Sequence, residues 1–366
     1  MISWGNLTFW GNEKKYVSDA MDSMWISGGS EGKYVKAFEK SFEDIFKCHA
    51  LTTSNGTSSL QLIYRGLDLK IDDEILVPGY CFLAGANVAL QLGIKPVFVD
   101  VKLDTWNMDP IDMKNKITEK TKAILAVHTF GNLCDMDSIN SIAKQNNLYV
   151  IEDCAESIFS KYDGKYCGTL GDVGAFSFHS AKTITTGEGG LVTTKDKELS
   201  KKMSLIRGHG LPNKGSYLHT IVGHNFRLSN LLAAIGFAQM EQLDTIIENK
   251  KRIYNRYVEN LNHKKDFIFQ KIENKVDPVM WLTAIKLDCN LIKKDELIST
   301  LLNEYKIEVR SGFVNSSDIS YFEKHEVPNS KSLDDSLITL PSHSSLTNYE
   351  IDYICESMLK TKNKNE

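Results

Sequence analysis

An α/β fold is what this sequence predicts, with a mostly parallel central sheet sandwiched by helices and a smaller α/β unit after it. Three observations carry that expectation. From about residue 50 short apolar runs alternate with helical stretches, and strands separated by helices imply parallel pairing with both sheet faces covered. The stretch from Leu228 to about Leu261 reads as one long helix, whose first part, Leu231-Leu-Ala-Ala-Ile-Gly-Phe-Ala238, is small and apolar nearly all round, as for a helix buried between domains or subunits. The length of 366 residues suggests two domains, though one large α/β domain with an appendage would also fit, and the 42% hydrophobic fraction is ample for a core.

Taken in order, residues 11–24 and 34–47 read as amphipathic helices joined by the flexible Ser27-Gly-Gly-Ser-Glu-Gly32. Strands are expected at 74–77, 96–99, 122–127, 148–152, 174–178 and 190–194, with helices at 57–67, 82–92, 110–118 and 135–145 between them. The second part of the long helix carries Lys250, Lys251, Arg252 and Arg256, which marks a wet face. Residues 267–357 form the smaller unit, with strands expected at 279–287 and 305–310. The expected division is therefore 1–240 for the large domain, with its N-terminal helical segment, and 241–366 for the small one. Lys360 to Glu366 reads as a frayed polar tail.

Bulk properties exclude several classes of function. A net charge of -4 gives no reason to expect nucleic acid or membrane binding. No apolar run approaches transmembrane length, and Met1-Ile-Ser-Trp-Gly5 lacks the basic-then-apolar order of a signal peptide. Seven cysteines without a C-x-x-C pair read as reduced thiols in the cytoplasm. Nine histidines without H-x-x-x-H or a Cys/His cluster argue against a metal site.

The chemistry is concentrated around Lys182, in Phe176-Ser-Phe-His-Ser-Ala-Lys182-Thr-Ile-Thr-Thr-Gly-Glu-Gly-Gly190, and Asp153, which ends the apolar run Tyr149-Val-Ile-Glu-Asp153. A lysine and a strand-end acid are what pyridoxal 5'-phosphate requires: the lysine joins the cofactor aldehyde, and the acid keeps the pyridine nitrogen protonated so that the ring acts as an electron sink. Glycines 187, 189 and 190 let the backbone pass close to a ligand. Ser54-Asn-Gly-Thr-Ser58 precedes a helix, where it fits an anion at the helix N-terminus and an ordinary N-cap equally well. Ser177, between two phenylalanines, needs a partner for its hydroxyl. His128 at a strand end reads as a satisfied core histidine.

These motifs, together with Trp25-Ile-Ser-Gly28, Asp73-Glu-Ile-Leu-Val-Pro78, Pro96-Val-Phe-Val-Asp100, Gly223-His-Asn225-Phe-Arg227 and Ala233-Ala-Ile-Gly-Phe-Ala-Gln239, resemble the DegT/DnrJ/EryC1/StrS sugar aminotransferases in order and near family spacing. Thr185-Thr-Gly-Glu-Gly-Gly190 and Glu152-Asp-Cys-Ala-Glu156 look most like the branch that makes 4-amino-4,6-dideoxy sugars on a nucleotide. The resemblance implies the fold-type I pyridoxal phosphate architecture, a homodimer with shared active sites, and transfer of an amino group from L-glutamate to a 4-keto-6-deoxy nucleotide sugar. It implies that Lys182 and Asp153 are catalytic, and that Gly56, Thr57 and Ser177 hold the cofactor phosphate. It further places Phe82 on the ring, Glu156 beside the ring hydroxyl and Asn225 on the partner's phosphate. Arg227 and His209 are candidate substrate contacts. A charged Glu156 would repel the phenolate, so it should be protonated or turned to another partner.

Departures from the family pattern keep rival readings open. Gly79 and Cys81 replace a serine and a threonine, which should change local packing. Ser311-Gly-Phe-Val-Asn-Ser-Ser-Asp318-Ile-Ser-Tyr321-Phe322 stands where the family carries a Pro-aromatic-Pro-Leu-His-like stretch. A polar, flexible loop there motivates a second reading, the same chemistry on a small phosphorylated ketone such as dihydroxyacetone phosphate. A sugar dehydratase would carry histidine at the lysine position, and Lys182 opposes it. A silent binding or regulatory member is opposed by the intact set of Lys182, Asp153 and Ser177.

Overall fold

The computed structural model describes residues 1–28, 32–212, 217–288 and 292–363. The middle of the expected Ser27–Gly32 linker and the end of the polar tail lie outside those residues. The chain starts with α1 (Glu13–Asp22) and α2 (Lys33–Phe46). It then alternates β1 (His49–Thr53), α3 (Gly56–Gly66), β2 (Glu74–Pro78), α4 (Ala84–Gln91), β3 (Lys95–Val99), α5 (Pro110–Asn115), β4 (Thr121–Val127), α6 (Met136–Asn146) and β5 (Tyr149–Asp153). A short hairpin, β6 (Lys161–Tyr162) and β7 (Lys165–Tyr166), leads into β8 (Val173–Ser177), β9 (Gly190–Thr194) and α7 (Lys197–Arg207).

Seven of these strands form one sheet in the order β1-β9-β8-β5-β4-β2-β3. The run from β8 to β3 is parallel, and β9 is antiparallel to both of its neighbours. Period-two side-chain alternation sends Leu76, Ile124, Val150, Phe176 and Leu191 into a core shared with α2 and α8. Their neighbours Ile75, Leu125, Ile151, Ala175 and Val192 enter a second core with α3, α4 and α7. Burial on both faces is why the strands read as unbroken apolar runs, and each such side chain contributes about 1.5–3 kcal/mol. In α2, Phe38, Phe42 and Phe46 recur every fourth residue and are buried together. Phe42 stacks on Phe178 at 5.6 Å and Phe46 meets Phe176 at 5.7 Å, which clamps β8 from behind.

β1 is an addition to the expected strands. It pairs only with β9, and two of its five residues are partly exposed, so its half-polar His-Ala-Leu-Thr-Thr gives a weak apolar signal. The expected single helix over 228–261 is instead two, α8 (Asn230–Met240) and α9 (Leu243–Leu261). At the joint Gln242 takes φ -111° and ψ 18°, while Glu241 accepts hydrogen bonds from Tyr16 Oη at 2.6 Å and Asn12 Nδ2 at 2.8 Å. Neither glycine nor proline marks the break. The all-apolar α8 is explained by α1 and α2 packing over it.

Beyond α9 come β10 (Phe267–Phe269), β11 (Val276–Asp277), β12 (Thr283–Leu287), α10 (Lys294–Asn303), β13 (Arg310–Ser311), α11 (Pro328–Ser336), β14 (Leu337–Leu340) and α12 (Asn348–Asn363). A second sheet has the order β10-β12-β14-β13, all antiparallel, and β11 joins the β6–β7 hairpin. The strand expected over 279–287 is paired only from Thr283. Its first residues instead bridge to the large sheet's loops, with Trp281 N–H donating to the Phe130 carbonyl at 2.9 Å. The strand expected over 305–310 shortens to Arg310–Ser311, because Ile307 pairs with Ile2 at the chain start.

Candidate active site

A cavity of about 720 Å³ opens at the carboxyl ends of β5 and β8, against the N-terminus of α3. Asn55 caps α3 by accepting from Ser58 N–H at 2.8 Å. Gly56 and Thr57 are the first two residues of the helix, so their N–H groups have no intrahelical acceptor and the helix dipole favours an anion beside them. A Cβ on Gly56 would lie 2.9 Å from the Ser177 Cβ, so only glycine allows the loop and β8 to meet there. The turn is braced from below: Arg207 Nη1 donates to Glu39 Oε1 at 2.6 Å and to the Thr52 carbonyl at 2.7 Å, and Glu39 also accepts Thr52 N–H at 2.8 Å. Ser177 lines the cavity opposite, with Oγ 3.4 Å from the His179 N–H.

Glu152 and Asp153 are adjacent on β5 and face opposite ways, and the contrast separates structure from chemistry. Glu152 is fully buried and saturated: Oε1 accepts the N–H groups of Leu170 and Gly171, both at 2.7 Å, and Oε2 accepts Gly168 N–H at 2.9 Å. His128 completes it. Its Nδ1 accepts Cys134 N–H at 3.2 Å, so the ring proton sits on Nε2 and is donated to Glu152 Oε2 at 3.0 Å. His128 is thus a satisfied core histidine, and although His128, Glu152 and Cys154 cluster closely enough for a metal, the His and Glu ligand atoms are already engaged. Asp153 lines the cavity, 7% exposed, and its carboxylate accepts one hydrogen bond among the described residues, from Ala155 N–H at 3.0 Å. Burial raises its pKa, opposed by the Ala155 N–H and the charge of Lys182. A buried carboxylate with so few donors is a site for a cation.

Lys182 lies in the loop between β8 and β9, turned by its N–H to the His179 carbonyl at 2.9 Å. Burial lowers its pKa, and the negative charges of Glu156 and Asp153 oppose that shift. Glu156 is turned to a partner, accepting Phe130 N–H on Oε2 at 2.8 Å. Burial pushes its carboxyl up to about 7, so near neutrality much of it is the protonated form that can donate to a phenolate rather than repel it. Of the two alternatives expected for Glu156, the Phe130 N–H supplies the other partner, and burial shifts the carboxyl in the direction of the protonated form.

Phe82 lines the same cavity with 65% of its surface exposed, a free aromatic face of the kind a planar ring stacks on. The far wall comes from residues that sequence reasoning missed: Trp4, Trp281, Arg310 and Phe313. Trp281 and Arg310 belong to the second unit and Trp4 to the chain start, so no local motif joins them to Lys182. The 311–322 loop, expected to be polar and flexible, is pinned. Gly312 N–H donates to the Leu337 carbonyl, Phe313 N–H to Tyr80 Oη, Asn315 N–H to Asp334 and Ser316 N–H to the Gly79 carbonyl. Phe313 stacks on Phe130 at 5.1 Å. The departures beside Phe82 fit this packing: a Cβ on Gly79 would stand 2.8 Å from Ser330 Oγ, and Cys81 is buried with Sγ donating to the Pro78 carbonyl at 3.5 Å.

Asn225, Arg227 and His209 are not brought to this cavity. Asn225 is exposed, and its Oδ1 accepts Arg227 Nε–H at 2.9 Å. Its neighbour Phe226 is tied to the turn before α3 through Ser54 N–H donating to the Phe226 carbonyl at 2.7 Å. His209 sits at φ 68° in the turn after α7. Among the described residues no helix is long and apolar enough to cross a membrane.

A helix N-terminus, a buried acid, an exposed aromatic ring and a lysine meet in one cavity, and each suits a part of pyridoxal phosphate. Such a site at the carboxyl edge of this sheet is that of a fold-type I pyridoxal phosphate-dependent aminotransferase. The chain belongs to the DegT/DnrJ/EryC1/StrS aminotransferase family, whose model matches residues 10–359. It is 42% identical over 351 residues to the GDP-perosamine synthase of Escherichia coli O157:H7, covering 95% of each chain. It is 37% identical over 350 residues to that of Vibrio cholerae, covering 94% of this chain and 95% of that one. Among solved structures it superposes on Helicobacter pylori PseC, an aminotransferase involved in the biosynthesis of pseudoaminic acid, with TM-score 0.93, 27% identity and 99% coverage of both chains.

Proposed function

We propose that the chain transfers the amino group of L-glutamate to C4 of a GDP-linked 4-keto-6-deoxy sugar. The observation that carries this reading is the 42% identity to a GDP-perosamine synthase along 95% of both chains. Pyridoxal phosphate, when bound, supplies the carbon that carries the amino group and the ring that takes up electrons. Gly56, Thr57 and Ser177 hold its phosphate, and Phe82 covers its ring. Asp153 provides the negative charge that keeps a proton on the pyridine nitrogen, and Glu156 donates to the ring oxygen. Lys182 Nζ would attach the cofactor and, when free, would carry the proton taken from the donor's α-carbon. Burial favours the neutral amine needed for that first proton uptake. The six described cysteines are all free thiols, which fits a cytoplasmic enzyme.

The small-ketone reading was motivated by the altered 311–322 loop; the identity to GDP-perosamine synthases along the chain favours the nucleotide sugar, and the hydrogen bonds of residues 312–316 are in keeping with it. Offering the enzyme glutamate with either a GDP-linked 4-keto-6-deoxy sugar or dihydroxyacetone phosphate tests the substrate. We expect amino product, identified by mass, from the nucleotide sugar alone; comparable turnover of dihydroxyacetone phosphate would overturn the assignment.

The exposed Asn225, which does not line the cavity of its own chain, supports a homodimer in which it reaches the partner's cofactor phosphate. Asn225→Ala should weaken cofactor retention, since a hydrogen bond to a charged acceptor is worth about 1.5–3 kcal/mol. Mixing Lys182→Ala with Asn225→Ala subunits should restore part of the activity, because one site of each mixed dimer carries both defects and the other neither. Mixed dimers that form yet stay inactive would assign Asn225 to its own subunit's loop.

A further inference from the structure

Lys182 Nζ stands 3.7 Å from the centre of the Trp281 ring system. Trp281 is fixed on every side. Its indole Nε1–H donates to the carbonyl of Ala181, the residue before the lysine, at 2.6 Å. Its backbone N–H donates to the Phe130 carbonyl at 2.9 Å, and Trp4 meets its ring edge-on at 6.1 Å. Its own carbonyl accepts Lys250 Nζ at 3.0 Å, and Lys250, buried on α9, also donates to the Ser342 carbonyl at 2.7 Å. A buried ammonium spent on carbonyls is costly, and here it ties the 279–282 segment to the small unit's core. An indole held so tightly over one amine is a built platform, since the negative face of an aromatic ring attracts a cation most strongly where water is excluded.

We propose that Trp281 is a positioning residue for Lys182, its indole face holding the lysine ammonium once the released side chain has taken up a proton. This rests on the reading of Lys182 as the proton carrier. A free lysine must keep the proton it has taken until it is delivered, in a cavity whose burial opposes the charge. The ring offsets that opposition without offering an acceptor for the proton, which a third carboxylate would do. Among the described residues, the other charged or titratable groups lining the cavities around Lys182 are Asp153 and Glu156 from β5 and the turn after it, His179 and Glu188 from the lysine's own loop, Arg310 from β13, Lys250 from α9 and His343 from the segment after β14.

The test reads the lysine itself. In cofactor-free, full-length protein, brief acylation with acetic anhydride across a pH series, followed by peptide mass spectrometry, gives the pH at which Lys182 becomes reactive. Trp281→Leu removes the π face and Trp281→Phe keeps a weaker one. The lysine midpoint should fall by about one pH unit in the Leu variant, with Phe between it and the wild type. If Trp281→Leu does not fold, a Phe midpoint below that of the wild type still decides. A midpoint unchanged in the variants would overturn the proposal. The sugar assignment cannot move this result, because neither substrate nor cofactor is present.

Discussion

Lys182→Ala is expected to abolish transamination while leaving a protein that still binds pyridoxal phosphate. The loss should reach several orders of magnitude, because one substitution removes both the group that attaches the cofactor and the group that moves the proton. Cofactor binding should persist, since the α3 N-terminus at Gly56 and Thr57, the Ser177 hydroxyl and the Asp153 carboxylate all lie on other elements. Equilibrium dialysis and steady-state rates on the same preparation check both halves. Near wild-type turnover in this variant would remove Lys182 from the mechanism.

Asp153→Asn should slow the reaction by at least ~100-fold, a transition-state effect of roughly 3 kcal/mol, with a modest change in folding stability. The amide keeps the acceptor for Ala155 N–H but not the charge that holds a proton on a pyridine nitrogen. Stability should change little, since burial already raises the pKa of this carboxyl and its charge is therefore no asset to the empty fold. The same replacement at Glu152 should behave in the opposite way, because three backbone N–H groups and His128 depend on that carboxylate. A rate unchanged by Asp153→Asn would make Asp153 a structural acid like its neighbour.

How far the sequence was legible follows from where each signal is stored. The central strands β2, β4, β5, β8 and β9 stand out because both of their faces are buried, which leaves apolar runs that end in polar residues at the site. The edge strand β3 is legible because its Pro-Val-Phe-Val is apolar although its first residues are partly exposed. β1 does not, since it is an edge strand written half in threonine. The break at Glu241 is silent because ordinary helix-forming residues fill it and only Tyr16 and Asn12, more than 220 positions away, hold it. Lys182, Asp153, Ser177 and the Gly56–Thr57 turn are legible because each lies in a local run whose composition suits its task. Trp4, Trp281, Arg310 and Phe313 are not, since the last three reach the cavity through the antiparallel second sheet and its loops and Trp4 from the distant chain start. Glu156 lies between the two cases. Its residue type raised the problem of charge, and only the Phe130 N–H and the depth of burial answer it.

The most direct measurement mixes wild-type enzyme loaded with pyridoxal phosphate with L-glutamate alone, and counts 2-oxoglutarate while following the cofactor colour. A lysine and a buried acid acting together on one cofactor predict about one 2-oxoglutarate per active site, with loss of the yellow colour in step. A colour unchanged by glutamate, with no 2-oxoglutarate formed, would contradict an aminotransferase that draws its amino group from glutamate at this site.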